Sequence, residues 1–121
     1  MTLETKTRQI EPDITVLEVS GKMILGAELA SLETAIHGLI EAGVRKLVID
    51  LAAVEGMDSS GIGLLVSSSS EIEQAGGHLR LAGAHGSVGK ALEVAHLNRI
   101  TPMDQDIAAA CRHLAADSAA F

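Results

Sequence analysis

The chain is 121 residues long, 47% hydrophobic and 21% charged, enough for one domain with a real core and too short for two. It contains neither Trp nor Tyr, and its single Phe is Phe121, so the core must be aliphatic and the stacking platforms of single-strand nucleic-acid binders are missing. With 9 basic and 16 acidic residues, the net charge of −7 repels a phosphate backbone, and no apolar run approaches the roughly 18 residues of a membrane-spanning helix, so neither nucleic acid nor membrane insertion is expected.

The first segment, about Leu3 to Glu11, alternates loosely and stops at Pro12-Asp13, which predicts an edge strand followed by a turn. Ile14 to Ser20 is rich in β-branched residues and predicts a second strand, antiparallel to the first and ended by Gly21. From about Gly26 to Ala42, Leu29, Leu32, Ile36, Leu39 and Ile40 recur at helical spacing, and Gly43 stops the helix. Lys46 to Leu51 is a nearly continuous apolar run of strand length, the pattern of a central strand covered on both faces. The turn-rich stretch Glu55 to Gly61 leads into a second helix running to about Ala75, closed by Gly76-Gly77. His78 to Ala82 predicts a strand, Val88 to Ala95 a short helix, Arg99 to Met103 a last strand and Asp104 to Ala116 a fourth helix.

Strands alternating with helices in this way predict a single α/β domain: a mixed, mostly parallel sheet of about four or five strands, an N-terminal antiparallel hairpin and about four helices. It spans 1–121, with its core over about 14–116 and a fraying tail from Asp117. Cys111 is the only cysteine, which excludes an internal disulfide, and Met1-Thr2-Leu3-Glu4 lacks the regions of a signal peptide, so a cytoplasmic protein is expected. Ile107, Cys111 and Leu114 share one helical face, which predicts a buried structural thiol.

The familiar catalytic patterns fail residue by residue. Gly83 to Ala91 lies between a strand and a helix, as a phosphate-cradling P-loop does, but Ala84 stands where its first glycine belongs and Ala91 where its Ser or Thr belongs. A nucleophile elbow needs serine two residues after Gly56, where Asp58 stands. Asp50 and Asp58 make an unconvincing acid/base pair, since one ends a central strand and the other caps a helix. His37, His78, His85, His96 and His113 have no partners at metal-ligand spacing and predict solvated or capping side chains. No enzyme activity, cofactor or metal is expected.

What remains is Asp58-Ser59-Ser60-Gly61-Ile62-Gly63, which follows a buried strand and opens a helix. Its plainest reading is an N-cap, a short side chain accepting a hydrogen bond from an orphan N–H, worth about 1 kcal/mol. The same geometry offers a kinase an accessible hydroxyl, and a phosphate there would add about −1.5 to −2 charge beside Asp58, which a docked acidic or apolar partner would oppose.

The order of hairpin, helix, strand, Asp58-Ser59-Ser60-Gly61, the helix with Ile62-Gly63-Leu64-Leu65, the Gly76-Gly77-His78-Leu79-Arg80-Leu81 strand, the short helix of Val88 to Leu92 and a final helix resembles the STAS domain of bacterial anti-sigma factor antagonists. The resemblance covers roughly Ile14 to Ala116. It implies a binding switch without catalysis: Ser59 is phosphorylated by a serine kinase that is itself the anti-sigma factor, and a phosphatase reverses this. The unphosphorylated protein sequesters that kinase, and phosphorylation releases it. Asp58 would then position the loop and contact the partner, Ser60 would cap or support the helix, and Gly61 and Gly63 would let the partner approach.

One region departs from that family pattern. Many members carry an acidic, polar Gly-Glu-Leu-Asp turn after the second strand, whereas this chain has Gly21-Lys22-Met23-Ile24-Leu25-Gly26. Met23, Ile24 and Leu25 are expected to fold inward; the alternative is an apolar patch suited to a different partner. Helical spacing leaves Leu64 or Val66 facing out near Ser59, and the run Ser67 to Ser70 implies close approach of a neighbour or mere drift. The expected partner surface takes in Met57, Asp58, Ser60, Gly61, Gly63, Leu25 and Leu64. Two other readings stay open: a constitutive adaptor subunit of a transport or stress-signalling complex, and a small nucleotide-binding protein using Gly83 to Gly89.

Overall fold

The computed structural model describes residues 3–10 and 12–118. Strands β1 (Leu3–Ile10) and β2 (Ile14–Met23) form the expected hairpin, with Ile10 opposite Ile14 and Leu3 opposite Gly21. Helix α1 (Ala27–Glu41), strand β3 (Lys46–Met57), helix α2 (Ser59–Gln74), strand β4 (His78–Ala82), helix α3 (Gly86–Val94), strand β5 (Met103–Asp104) and helix α4 (Ile107–Ser118) complete the chain. The sheet order is β1-β2-β3-β4-β5, and every pair after the first is parallel. The expected fold class is therefore the observed one. Glu11 and the last three residues, which the sequence reading put in the first strand and the tail, lie outside the described residues.

Helices cover the sheet on both faces, which is why β3 reads as one apolar run: Leu47, Val48 and Ile49 are all fully buried. Leu47, Ile49, Leu79 and Leu81 join Leu32 and Ile36 of α1, Leu65 and Ile72 of α2, and Leu92 of α3 in the larger cluster. Ile14, Val16, Val48 and Ala82 pack with Ala110 and Leu114 of α4 in a second, smaller one. Cys111 borders this second cluster half-buried, not buried as expected, and partial desolvation pushes its thiol pKa up, with Arg8 pulling weakly against it.

Five boundaries differ from the expectation. β2 continues past Gly21 to Met23, and β3 past Leu51 to Met57. The two extensions pair with each other, Met23 opposite Met57, through register shifts at Glu18/Ser20 and Gly21/Lys22. Gly21, at φ +104°, takes the backbone turn that lets β2 go on instead of ending. Helix α3 begins at Gly86, ahead of Val88, Arg99 belongs to a 3₁₀ turn over Leu97–Arg99, which shortens the last strand to two residues, and Asp104, expected to open the fourth helix, ends that strand, so that α4 begins at Ile107.

An ionic cluster fastens α4 to the sheet. The Asp104 side chain, only 3% exposed, accepts from Arg80 Nε at 2.6 Å and from His113 Nδ1 of α4 at 2.7 Å. Burial pushes the Asp104 carboxyl up, but the hydrogen bonds and charges of Arg80 and His113 outweigh it and hold the pKa below the usual carboxylate value. His37 and His85 are also engaged, with Glu71 and with the Ala52 carbonyl, and His85, at the cap position of α3, makes no side-chain capping bond.

Candidate functional site

The site forms where the extended β2 and β3 end together and the chain turns into α2. One residue, Asp58, separates β3 from α2, and its backbone N–H donates to the Met23 carbonyl at 3.2 Å. Gly61 makes this junction possible: a Cβ there would lie 2.4 Å from the Met23 oxygen and 2.8 Å from Met57 Cγ. Its smallness therefore serves internal packing, and the residue is buried. Gly63 is exposed with open space around it.

Asp58 is the N-cap of α2: its Oδ1 accepts from Gly61 N–H at 3.0 Å. Its Oδ2 accepts from the Leu25 backbone N–H at 2.9 Å, across 33 residues of chain. These bonds, Leu25 first and Gly61 second, hold the Asp58 carboxyl below its ordinary value against a smaller desolvation effect. Asp58 thus takes the capping role read for it from the sequence, and Ser60, the other residue expected to cap or support the helix, does not take it. Ser59 is exposed as the first residue of α2, with its hydroxyl not committed to the cap, and Ser60 is half-buried.

The turn after β2 splits in two, contrary to the expectation that it folds inward. Met23 is fully buried, whereas Ile24 is 46% and Leu25 78% exposed. The pleat explains it: Met23 still belongs to the ladder and points into the core, and the two residues beyond it leave the sheet. A groove of about 330 Å³ runs between the first turns of α1 and α2, with Leu25, Leu29, Glu33, Ser60, Gly63 and Leu64 among its lining. Leu64 is buried at its floor and Val66 is half-buried, so neither faces fully out as expected. Of the residues expected at the partner surface, Leu25, Ser60, Gly63 and Leu64 line this one groove, and Asp58, next to Ser59 in the chain, is bonded to Leu25 at its edge; Met57 is half-buried under Gly61 and does not line it. Leu29 and Glu33 of the groove were missed; their i, i+4 spacing in the first helix was the available signal.

Ser68 and Ser69 of the serine run are buried and Ser67 and Ser70 exposed, so the run gives α2 two small side chains on its packed side. At the end of β4, a Cβ on Gly83 would lie 2.9 Å from Asp50 Oδ1 and 3.0 Å from Ala52 Cβ, a packing reason for that glycine that needs no phosphate. Among the described residues, no helix is long and apolar enough to cross a membrane.

Residues 5–110 match the STAS domain family. An anti-sigma factor antagonist from Mycobacterium paratuberculosis superposes with a TM-score of 0.83 at 21% identity, covering 93% of this chain and 94% of that one. The phosphorylated form of the Bacillus cell fate determinant SpoIIAA gives 0.70 at 20% identity over 91% and 98%. A sulfate transporter family protein from Wolinella succinogenes gives 0.71 at 14% identity over 88% of each chain. At these identities the likeness is one of fold.

Proposed function

The chain belongs to the STAS domain family, and from that premise we propose that it is an anti-sigma factor antagonist, a non-enzymatic binding switch controlled by phosphorylation of Ser59. The observation that carries this reading is the division of labour at the start of α2: Asp58 takes the cap, and Ser59 stands exposed beside it. The Ser59 Oγ attacks the γ-phosphorus of ATP held by the partner kinase. The bond to the β-phosphate bridging oxygen breaks, ADP leaves, and the hydroxyl proton passes to a base on the kinase or to water.

The unphosphorylated surface around Ser59, with exposed Ile24 and Leu25 and the groove floored by Leu64, docks on that kinase, the anti-sigma factor. Its ATP dependence fits a cytoplasmic pair. The phosphate adds nearly two negative charges at the centre of the contact and drives release, and a serine phosphatase restores binding. A second reading, a constitutive adaptor, is favoured by the same apolar pair, because an aliphatic contact needs no charge switch to hold.

Affinity capture from source-cell lysate with parent, Ser59→Ala and Ser59→Glu baits decides between them. The antagonist reading expects parent and Ala to retain an ATP-binding kinase that Glu loses. It also expects that kinase to add one phosphate to the parent and none to Ser59→Ala, read by intact mass. Retention of the same partner by all three baits would establish the adaptor instead.

A further inference from the structure

The Asp58 carboxylate does two jobs at once, and they differ in robustness. Oδ1 holds Gly61 N–H inside the first turn of α2, with the helix behind it. Oδ2 holds Leu25 N–H in an exposed loop, 33 residues earlier in the chain. The loop is anchored on one side only up to Met23, which is fully buried and whose carbonyl accepts from Asp58 N–H. On the other side lies Gly26, the N-cap of α1, whose carbonyl accepts from Ala30 N–H at 3.1 Å and around which there is open space. Between these points stand the two most conspicuous apolar side chains of the site, Ile24 and Leu25.

We propose that Asp58 is a latch between α2 and the apolar loop, and that a phosphate on Ser59 opens it, so that modification displaces Leu25 as well as placing charge beside it. This rests on the reading of Ser59 as the phosphoacceptor. A phosphate on the first residue of α2 brings three acceptor oxygens to the few free N–H groups of the first turn. It repels the Asp58 carboxylate through space, while the helix N-terminus accommodates the dianion and keeps Oδ1 on Gly61 N–H. The bond that gives way is the one with no helix behind it, Leu25 N–H to Oδ2. Asp58 is thus a positioning residue: it acts on the partner surface through Leu25.

The latch is tested without any kinase, by installing phosphoserine at position 59 during translation of the full chain and following backbone amide hydrogen exchange by NMR. The Leu25 amide is expected to exchange about tenfold faster in the phosphoserine chain than in the unmodified one, the loss of one charge-assisted hydrogen bond. Asp58→Ala should match that acceleration and Asp58→Asn, which keeps a neutral acceptor, should fall between, while core amides such as Leu17 and Ile49 stay protected in all four. Failure of the lysate partner to phosphorylate Ser59 would count against the functional reading alone. Equal Leu25 exchange with and without phosphoserine, or no acceleration in Asp58→Ala, overturns the latch.

Discussion

Two aspartates at strand ends, Asp58 after β3 and Asp104 at the end of β5, are both held below the ordinary carboxylate value, and by opposite means. Asp58 is satisfied by backbone N–H groups from a loop and a helix start, at the surface. Asp104 is satisfied by the side chains of Arg80 and His113, with its own side chain 3% exposed. A carboxylate held by backbone groups at the surface shapes local geometry and leaves the rest of the fold indifferent. One held by side chains from two elements joins those elements, and its loss strands a cation. The first arrangement suits a site that must change state, the second a scaffold that must not.

The sharpest way to break this contrast is Asp104→Ala, which leaves the Arg80 guanidinium, with its side chain 16% exposed, facing an empty position. The expected loss is about 3 kcal/mol in urea unfolding, with α4 amides exchanging faster and phosphate uptake at Ser59 unchanged. A loss no larger than that of Asp58→Asn would show that the two carboxylates play the same part. Next comes Gly61→Ala, whose Cβ meets the Met23 carbonyl at 2.4 Å. It should destabilise by about 2 kcal/mol through overpacking and shift the amide resonances of Met23, Leu25 and Ser59.

The neighbouring Gly63→Ala sharpens the same point with the opposite sign, since open space and a helical backbone predict a gain approaching 1 kcal/mol. A destabilised Gly63→Ala chain in thermal melts would place a contact there that the geometry does not contain. The pH dependence follows from the lowered pKa of Asp104. Its contribution is fully present above the ordinary aspartate value of about 3.8 and is lost as pH falls through the lower folded value. Parent stability should therefore decline steeply below about pH 4, and the Asp104→Asn chain should decline less across that window. The smallest effect is Asp58→Asn, whose melting temperature should lie closest to the parent's while the Leu25 amide still reports the change.

Much of the fold was legible in the chain because hydrophobic period and turn residues agree. The Leu47-Val48-Ile49 run reads as a strand covered on both faces, and Leu29, Leu32, Ile36 and Ile40 read as one helix face. The misplaced ends of β2 and β3 share one cause. Ala52 to Met57 and Gly21 to Met23 carry weak strand patterns, and they are strands because they pair with each other, a contact between segments that a window on either one does not contain. Cys111 failed similarly, because helical spacing gives the face of α4 but not how deeply that face is covered.

At the site, the residue types around Ser59 were readable, since a helix start after a buried strand constrains where a short polar residue stands. The sequence by itself determined the α/β architecture, the aliphatic core and the position of Asp58-Ser59 at the mouth of α2, because these depend on local periodicity and capping chemistry. Only the tertiary structure decided that Asp58 also holds the Leu25 N–H, that Gly61 is spent on the Met23 carbonyl, and that Met23 turns in while Ile24 and Leu25 turn out. Those outcomes hang on distances between residues more than thirty positions apart, and local pattern has no access to such distances until the sheet has brought the strand ends together.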